Sequence, residues 1–337
     1  MNAFSKDTFR SQKGYLSILV LLNHIYYFSG YFAGTYPGYL LDKIGGYAVA
    51  CFVLMSGYGL YTSYQEKGPD YIKEFLRRRI LPFYFTYVFF VALYLIFSIL
   101  FSAPLTFRLV LTSLTFGGTV VHYGWYVQLL LVLYLVFFFL FRFISKPKLR
   151  SGLLFGFVLL YCAVSYMRDV DYFQYIPCFS FFFGIVLAKH KETVVSVLTG
   201  KRLFLLFFSF LLSAALFLWY VNAVILERIP YFVWPLVVAM SIASNLSVNM
   251  LFLSVSDLLA TKIPSVLTNR VVKALGTRSL EIYLIQGIVF VVCFNYLPGK
   301  LLATGISLIC PLLLAFPLHA AIHYAFTKFI SFGVPAK

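Results

Sequence analysis

The sequence predicts an all-α integral membrane protein, a single-domain bundle of about ten transmembrane helices with both termini cytoplasmic. Three observations carry that expectation: the composition, the length of the apolar runs and the placing of the basic residues. Of 337 residues, 62% are hydrophobic, 20% aromatic and only 11% charged. A soluble domain has about 25% charged residues, so this chain lacks the charge to cover a water-facing surface. Its apolar runs reach the ~20 residues of a helical span and exceed the roughly 9–11 of a barrel strand.

The first apolar run follows Lys6, Arg10 and Lys13 and is too long for a signal-peptide core, so it reads as the first span, near residues 14–33. Nine more are expected near 44–64, 80–103, 124–142, 151–167, 172–188, 203–224, 230–253, 276–297 and 303–327. The cut between the fifth and sixth rests on Arg168-Asp169-Val170-Asp171, because charges cluster where a chain surfaces. The longest polar stretch, residues 254–278, has room for an amphipathic cytoplasmic helix. No internal repeat and no soluble domain interrupts residues 1–337.

Orientation follows from the 27 lysines and arginines. With ten spans and a cytoplasmic N-terminus, all but Lys43, Arg108, Arg168, Arg228 and Lys300 fall on the inner side, as the positive-inside rule requires. The net charge of +16 is then mostly a topology signal. Its cations are spread over short loops rather than gathered on a domain, which argues against a nucleic-acid partner. The five cysteines are dispersed within apolar runs, without metal spacing or a disulfide framework.

Few polar residues remain inside those runs. Lys13 and His24 lie eleven residues apart, roughly 16 Å along a helix. With Lys13 at the cytoplasmic edge, His24 lies near the midplane of a hydrocarbon core about 30 Å thick. An ionisable ring at that depth is a functional candidate, against the plainer reading of a neutral histidine bonded between helices. Asn23 accompanies it. In the second span Ser56, Gly57 and Tyr58 either let helices approach closely or open room for a ligand. Arg77, Arg78 and Arg79, just ahead of Leu81-Pro82, suit a topology anchor or a clamp for a phosphorylated ligand, since guanidinium matches phosphate bidentately. His122 and Trp125 open the fourth span from outside. Glu281 is expected to pair with Arg278 or to orient a histidine. His319 and His323 have no third partner in sight, so no metal site is expected.

Taken together these segments resemble the acyltransferase 3 family of integral membrane acyltransferases, over nearly the whole chain. The resemblance lies in the ten spans, in the basic residue and histidine of the first span (Lys13, His24) and in the phenylalanine-rich segment Phe52 through Tyr58. It continues in the arginine cluster before Pro82, the tryptophan-led fourth span at Trp125, and Leu275, Gly276, Ser279, Tyr283 and Leu284. Lys13 replaces the usual arginine and Tyr58 the usual phenylalanine. Gln286 stands where many relatives have histidine, so nothing catalytic is expected of the ninth span. The C-terminal hydrolase-like domain of some relatives is not expected here, and the bare membrane module is.

The resemblance implies an O-acyltransferase of the cell envelope, in a multi-pass bacterial plasma-membrane setting. Its donor would be cytoplasmic acyl-CoA, most simply acetyl-CoA, with no bound cofactor. Its acceptor would be a hydroxyl of a lipid-linked or surface glycan, as in polysaccharide O-acetylation. His24 would be the catalytic base, because burial favours the neutral ring that accepts a proton. Lys13, Arg77, Arg78 and Arg79 would bind acyl-CoA. Asn23, Ser56, Gly57, Tyr58 and Trp125 would line the pocket, and Arg108 and His122, in the outer loop at 104–123, would meet the acceptor. A polysaccharide flippase or polymerase, a small-solute transporter and a purely structural membrane protein are the competing readings. No Gly-x-Ser-x-Gly elbow or HExxH motif offers another mechanism.

Overall fold

In a computed structural model of the chain, described for residues 5–101, 104–222 and 234–333, the elements are helical throughout and no strand occurs among the described residues. In order they are α1 (Lys6–Ser29), α2 (Tyr36–Lys67), α3 (Pro69–Lys73), a widened π-helical turn (Leu76–Ile80), α4 (Leu81–Leu100), α5 (Phe107–Leu114) and α6 (Trp125–Phe143). There follow α7 (Pro147–Met167), α8 (Tyr172–Tyr175), α9 (Cys178–Lys189), α10 (Lys191–Gly200) and α11 (Arg202–Tyr220). The last are α12 (Trp234–Lys262), α13 (Pro264–Thr268), α14 (Arg270–Thr277), α15 (Ser279–Tyr296) and α16 (Lys300–Gly333). Arg228 and Lys337 of the charge count, and the expected span limits at 224 and 230, lie outside the described residues.

Nine of the described helices are long and apolar enough to cross a membrane. The expected first span is not among them, although α1 has 24 residues, about 36 Å of helix. The reason is its place in the bundle. It packs against α2, α14, α15 and α16, so Gln12, Ser17, Asn23 and His24 face protein. A helix screened from lipid need not be uniformly apolar. Its ends follow local rules: the Ser5 hydroxyl caps it by accepting from the Thr8 N–H, and Gly30 ends it at a φ of 65°.

Small residues set the closest approaches. A Cβ on Gly57 would strike the Phe181 carbonyl, and one on Gly184 the Leu54 carbonyl, so α2 and α9 meet backbone to backbone. A Cβ on Gly276 would strike the Arg10 carbonyl, which seats the amphipathic α14 on the start of α1. That seats part of the polar 254–278 stretch at the end of the bundle that carries Lys6, Lys67 and the arginine triplet. Lys6 and Glu66 pair there at 3.4 Å. We call it the basic end, and its opposite the far end.

Between α4 and α6 the expected surface loop turns inward. The Leu114 carbonyl, closing α5, accepts from the Tyr84 hydroxyl at 2.6 Å, one turn into α4. Tyr84 is about 24 Å along α4 from Leu100. The chain then climbs back past Tyr87, whose hydroxyl is 2.8 Å from Thr119 Oγ1, to Tyr94, whose ring centroid is 5.8 Å from that of His122. This is a re-entrant segment, tolerable at membrane depth only where its backbone polar groups find partners. Gln128 supplies them: its amide donates to the carbonyls of Thr112 at 3.1 Å and Gly118 at 3.0 Å. The Ser113 hydroxyl accepts from the Val120 N–H at 2.8 Å.

Candidate active site

His24 lies well inside the bundle, with 8% of its surface exposed. The ring of Tyr123, at the top of the re-entrant segment, stacks flat on the imidazole with centroids 3.6 Å apart. Phe290 meets it edge-on at 6.3 Å and Tyr283 lies tilted at 6.3 Å. Tyr123 has a φ of 65°, a left-handed backbone that an L side chain rarely adopts. The Tyr283 hydroxyl donates to the Tyr123 carbonyl at 3.0 Å and so ties this turn to α15. His24 Nδ1 is shielded and has no hydrogen-bond partner of normal geometry among the described residues. Gln286 is the polar side chain interacting with the ring.

That cavity, of about 420 Å³, opens from His24 toward the far end. Its size falls in the range of small-molecule sites. Aromatic rings form much of its wall, among them Trp125, Tyr172, Phe173, Trp219 and Tyr220. Amides and hydroxyls project between them from Asn23, Gln174, Ser241, Ser244 and Asn245. Asn23 reaches across to α2, where its amide donates to the carbonyls of Leu41 at 2.6 Å and Asp42 at 2.9 Å. Gly45 makes room for it, since a Cβ there would overlap the Asn23 side chain. Among the described residues only Asp42 and Lys43 bring formal charge to the lining, and they pair with each other at 3.1 Å.

On the basic side of His24 a void of about 10 Å³ is lined by Ser17, Val20, Phe52, Ser279, Ile282, Tyr283 and Gln286. It has room for about one water. Tyr283 borders both spaces. Below the void, the Ser17 hydroxyl donates to the Lys13 carbonyl at 2.8 Å. Lys13 feels the charges of Arg79 and Arg10. Arg77, Arg78 and Arg79 are all exposed on the π-helical turn, with Arg78 paired to Glu74. A cationic cluster thus marks the basic end, about 16 Å along α1 from His24.

Some expected site residues lie elsewhere. Asn23 and Trp125 line the cavity, whereas Ser56, Gly57 and Tyr58 do not. Gly57 is taken up by the contact with α9, and the Tyr58 ring packs edge-on against Phe9 at 5.2 Å. Arg108 is exposed on the first turn of α5 and takes no part in the lining. His122 is exposed toward the far end, beside Tyr94 and Gly287, and does not line the cavity. Glu281 pairs with His319 at 2.7 Å rather than with Arg278, whose guanidinium lies over the Phe316 ring. The ninth span, from which nothing catalytic was expected, brings both Tyr283 and Gln286 to His24. Tyr123 and the Asp42–Lys43 pair were also missed. The available signals were a tyrosine one residue from His122 and a lysine counted as an outer cation although it opens an apolar run.

A family model describing an acyltransferase domain matches residues 13–325, nearly the entire chain. No curated protein and no solved structure matches it.

Proposed function

The chain belongs to the acyltransferase 3 family, and we propose that it moves an acetyl group from cytoplasmic acetyl-CoA to a hydroxyl of a cell-surface or exopolysaccharide sugar, with His24 as general base. The observation that carries this reading is that His24 forms the inner wall of an aromatic, amide-lined cavity at one side while the Lys13–Arg79 cluster lies at the other. Donor and acceptor then approach from opposite membrane faces and meet at the imidazole. Guanidinium and ammonium groups suit the phosphates of a coenzyme A. Stacking rings and amides suit a sugar, whose C–H face is apolar and whose rim is all hydroxyl.

In this mechanism the His24 imidazole takes the proton of the acceptor hydroxyl as its oxygen attacks the thioester carbonyl. The tetrahedral intermediate collapses with loss of the coenzyme A thiolate. That sulfur takes the proton from His24, so the imidazole ends neutral and the sugar carries the ester. The closed void beside Ser17 and Gln286 means that the acyl-bearing arm enters only when the packing there opens. Both termini are cytoplasmic in this reading, with the basic end inward, in a bacterial plasma membrane.

His24→Ala should insert and fold normally yet lose about 10²–10⁴-fold in acyl transfer, the usual contribution of a general base. Near-normal turnover would remove His24 from the chemistry. Mass spectrometry of surface polysaccharide from cells with and without the protein reads out acceptor and donor together. An unchanged ester content would defeat the glycan reading, and loss of an ester of another mass would replace acetyl by that acyl group.

A further inference from the structure

We propose that the Asp42–Lys43 pair in the cavity wall makes this site selective for an uncharged sugar residue over an acidic one. The inference rests on the reading of the cavity as the acceptor site. Each charge in the pair is already answered by the protein. Asp42 accepts from the Tyr27 hydroxyl through one oxygen and pairs with Lys43 through the other. Lys43 donates to the Tyr172 hydroxyl at 2.9 Å and lies 4.1 Å from the centroid of the Tyr220 ring. The Tyr172 and Tyr220 hydroxyls are themselves 2.9 Å apart. Both charged side chains are 19% exposed, so they sit at the lining without being freely solvated.

An ammonium so held offers little to an anion. A uronate or phosphate entering the cavity would have to draw Lys43 away from Asp42, leaving a half-buried carboxylate without its counter-ion. Breaking a screened pair in this way is costly, whereas leaving it intact is not. No second cation stands in the lining among the described residues. A neutral pyranose avoids the conflict. Its hydroxyls meet the Asn23, Gln174 and Asn245 amides and the Ser241 hydroxyl, and its C–H face meets the rings.

The test uses the full-length protein in lipid nanodiscs and two oligosaccharides of equal length, one of neutral hexose and one with a uronic acid in place of a hexose. Binding is read from tryptophan fluorescence, since Trp125 and Trp219 line the cavity, and acetyl transfer is read separately. The wild type should bind the neutral oligosaccharide at least tenfold more tightly. Asp42→Asn, which frees Lys43, should narrow or reverse that ratio by tenfold or more, most at low salt. Lys43→Gln, which leaves Asp42 alone, should keep the acidic sugar excluded. Equal binding of both sugars by the wild type overturns the proposal, as does binding of neither. A loss of equal size for both sugars in Asp42→Asn also overturns it, because a merely structural pair would behave that way. Selective binding without acetyl transfer leaves the selectivity standing and defeats the acyltransferase reading of the cavity instead.

Discussion

The Tyr123 ring lies on the His24 imidazole with its plane only 5° from parallel. Histidines that act as bases are commonly aimed by a carboxylate bonded to the second ring nitrogen. Here Nδ1 has no such partner among the described residues, and stacking supplies the orientation. The left-handed backbone at Tyr123 is a costly conformation, held by the Tyr283 bond to its carbonyl, of a kind often found at functional sites. Tyr123→Phe preserves the stacked face and should retain most activity. Tyr123→Ala should lower kcat about 10–100-fold, the scale of a small misplacement of a reacting group, with acceptor KM much less affected. Equal activity of the two variants would show that the stack does not position His24.

The last two arginines of the triplet differ in their charged neighbours. Arg78 is paired with Glu74, while Arg79 acts on Lys13. Arg79→Ala should therefore raise the acetyl-CoA KM more than Arg78→Ala, by several-fold, and leave the acceptor KM alone. The effect should shrink as salt screens the phosphates. A donor KM indifferent to Arg77, Arg78 and Arg79 would leave the triplet as a topology anchor.

Gly57 separates packing from lining in the second span. Gly57→Val should push α2 off α9 and destabilise the protein by about 1–3 kcal/mol, the usual penalty for overpacking. Thermal unfolding in detergent reads this directly. Ser56→Ala, one residue away and off the cavity, should leave acetyl transfer unchanged. A selective loss of transfer in Ser56→Ala would return this segment to the site.

Gln128 holds the re-entrant segment by its carbonyls. Gln128→Leu leaves those of Thr112 and Gly118 without the amide, at about 1–3 kcal/mol for each buried group unsatisfied. The turn that carries Tyr123 should then loosen, so activity should fall along with unfolding temperature. Full activity with unaltered stability would mean that other groups satisfy this backbone.

The span pattern was legible because apolar length and charge position are local properties. The cut at Arg168 through Asp171 coincides with the gap between α7 and α8, and the fourth span begins at Trp125 as read. His24 was legible as a site candidate because a histidine is rare at that depth. What stayed hidden depends on contacts between distant segments. Residues 104–123 read as an outer loop, because nothing local marks the distant partners Tyr84, Tyr87 and Gln128 that draw the segment inward. The cavity was equally hidden, since Asp42, Tyr172, Tyr220 and Asn245 lie far apart in the chain and nothing local marks their convergence.

The inward fold of the segment after α4 also bears on how sidedness is measured. Its tip, Thr115 to Gly117, is exposed and follows directly on Leu114, to whose carbonyl Tyr84 bonds. Its two arms return to the same face. Reporter tags or thiol labels placed at Phe116 would therefore register near the basic face, while labels flanking the segment register at the opposite one. A map drawn by joining such labels would count two crossings between residues 104 and 124 that do not exist, and the even parity of the remaining spans would conceal the error.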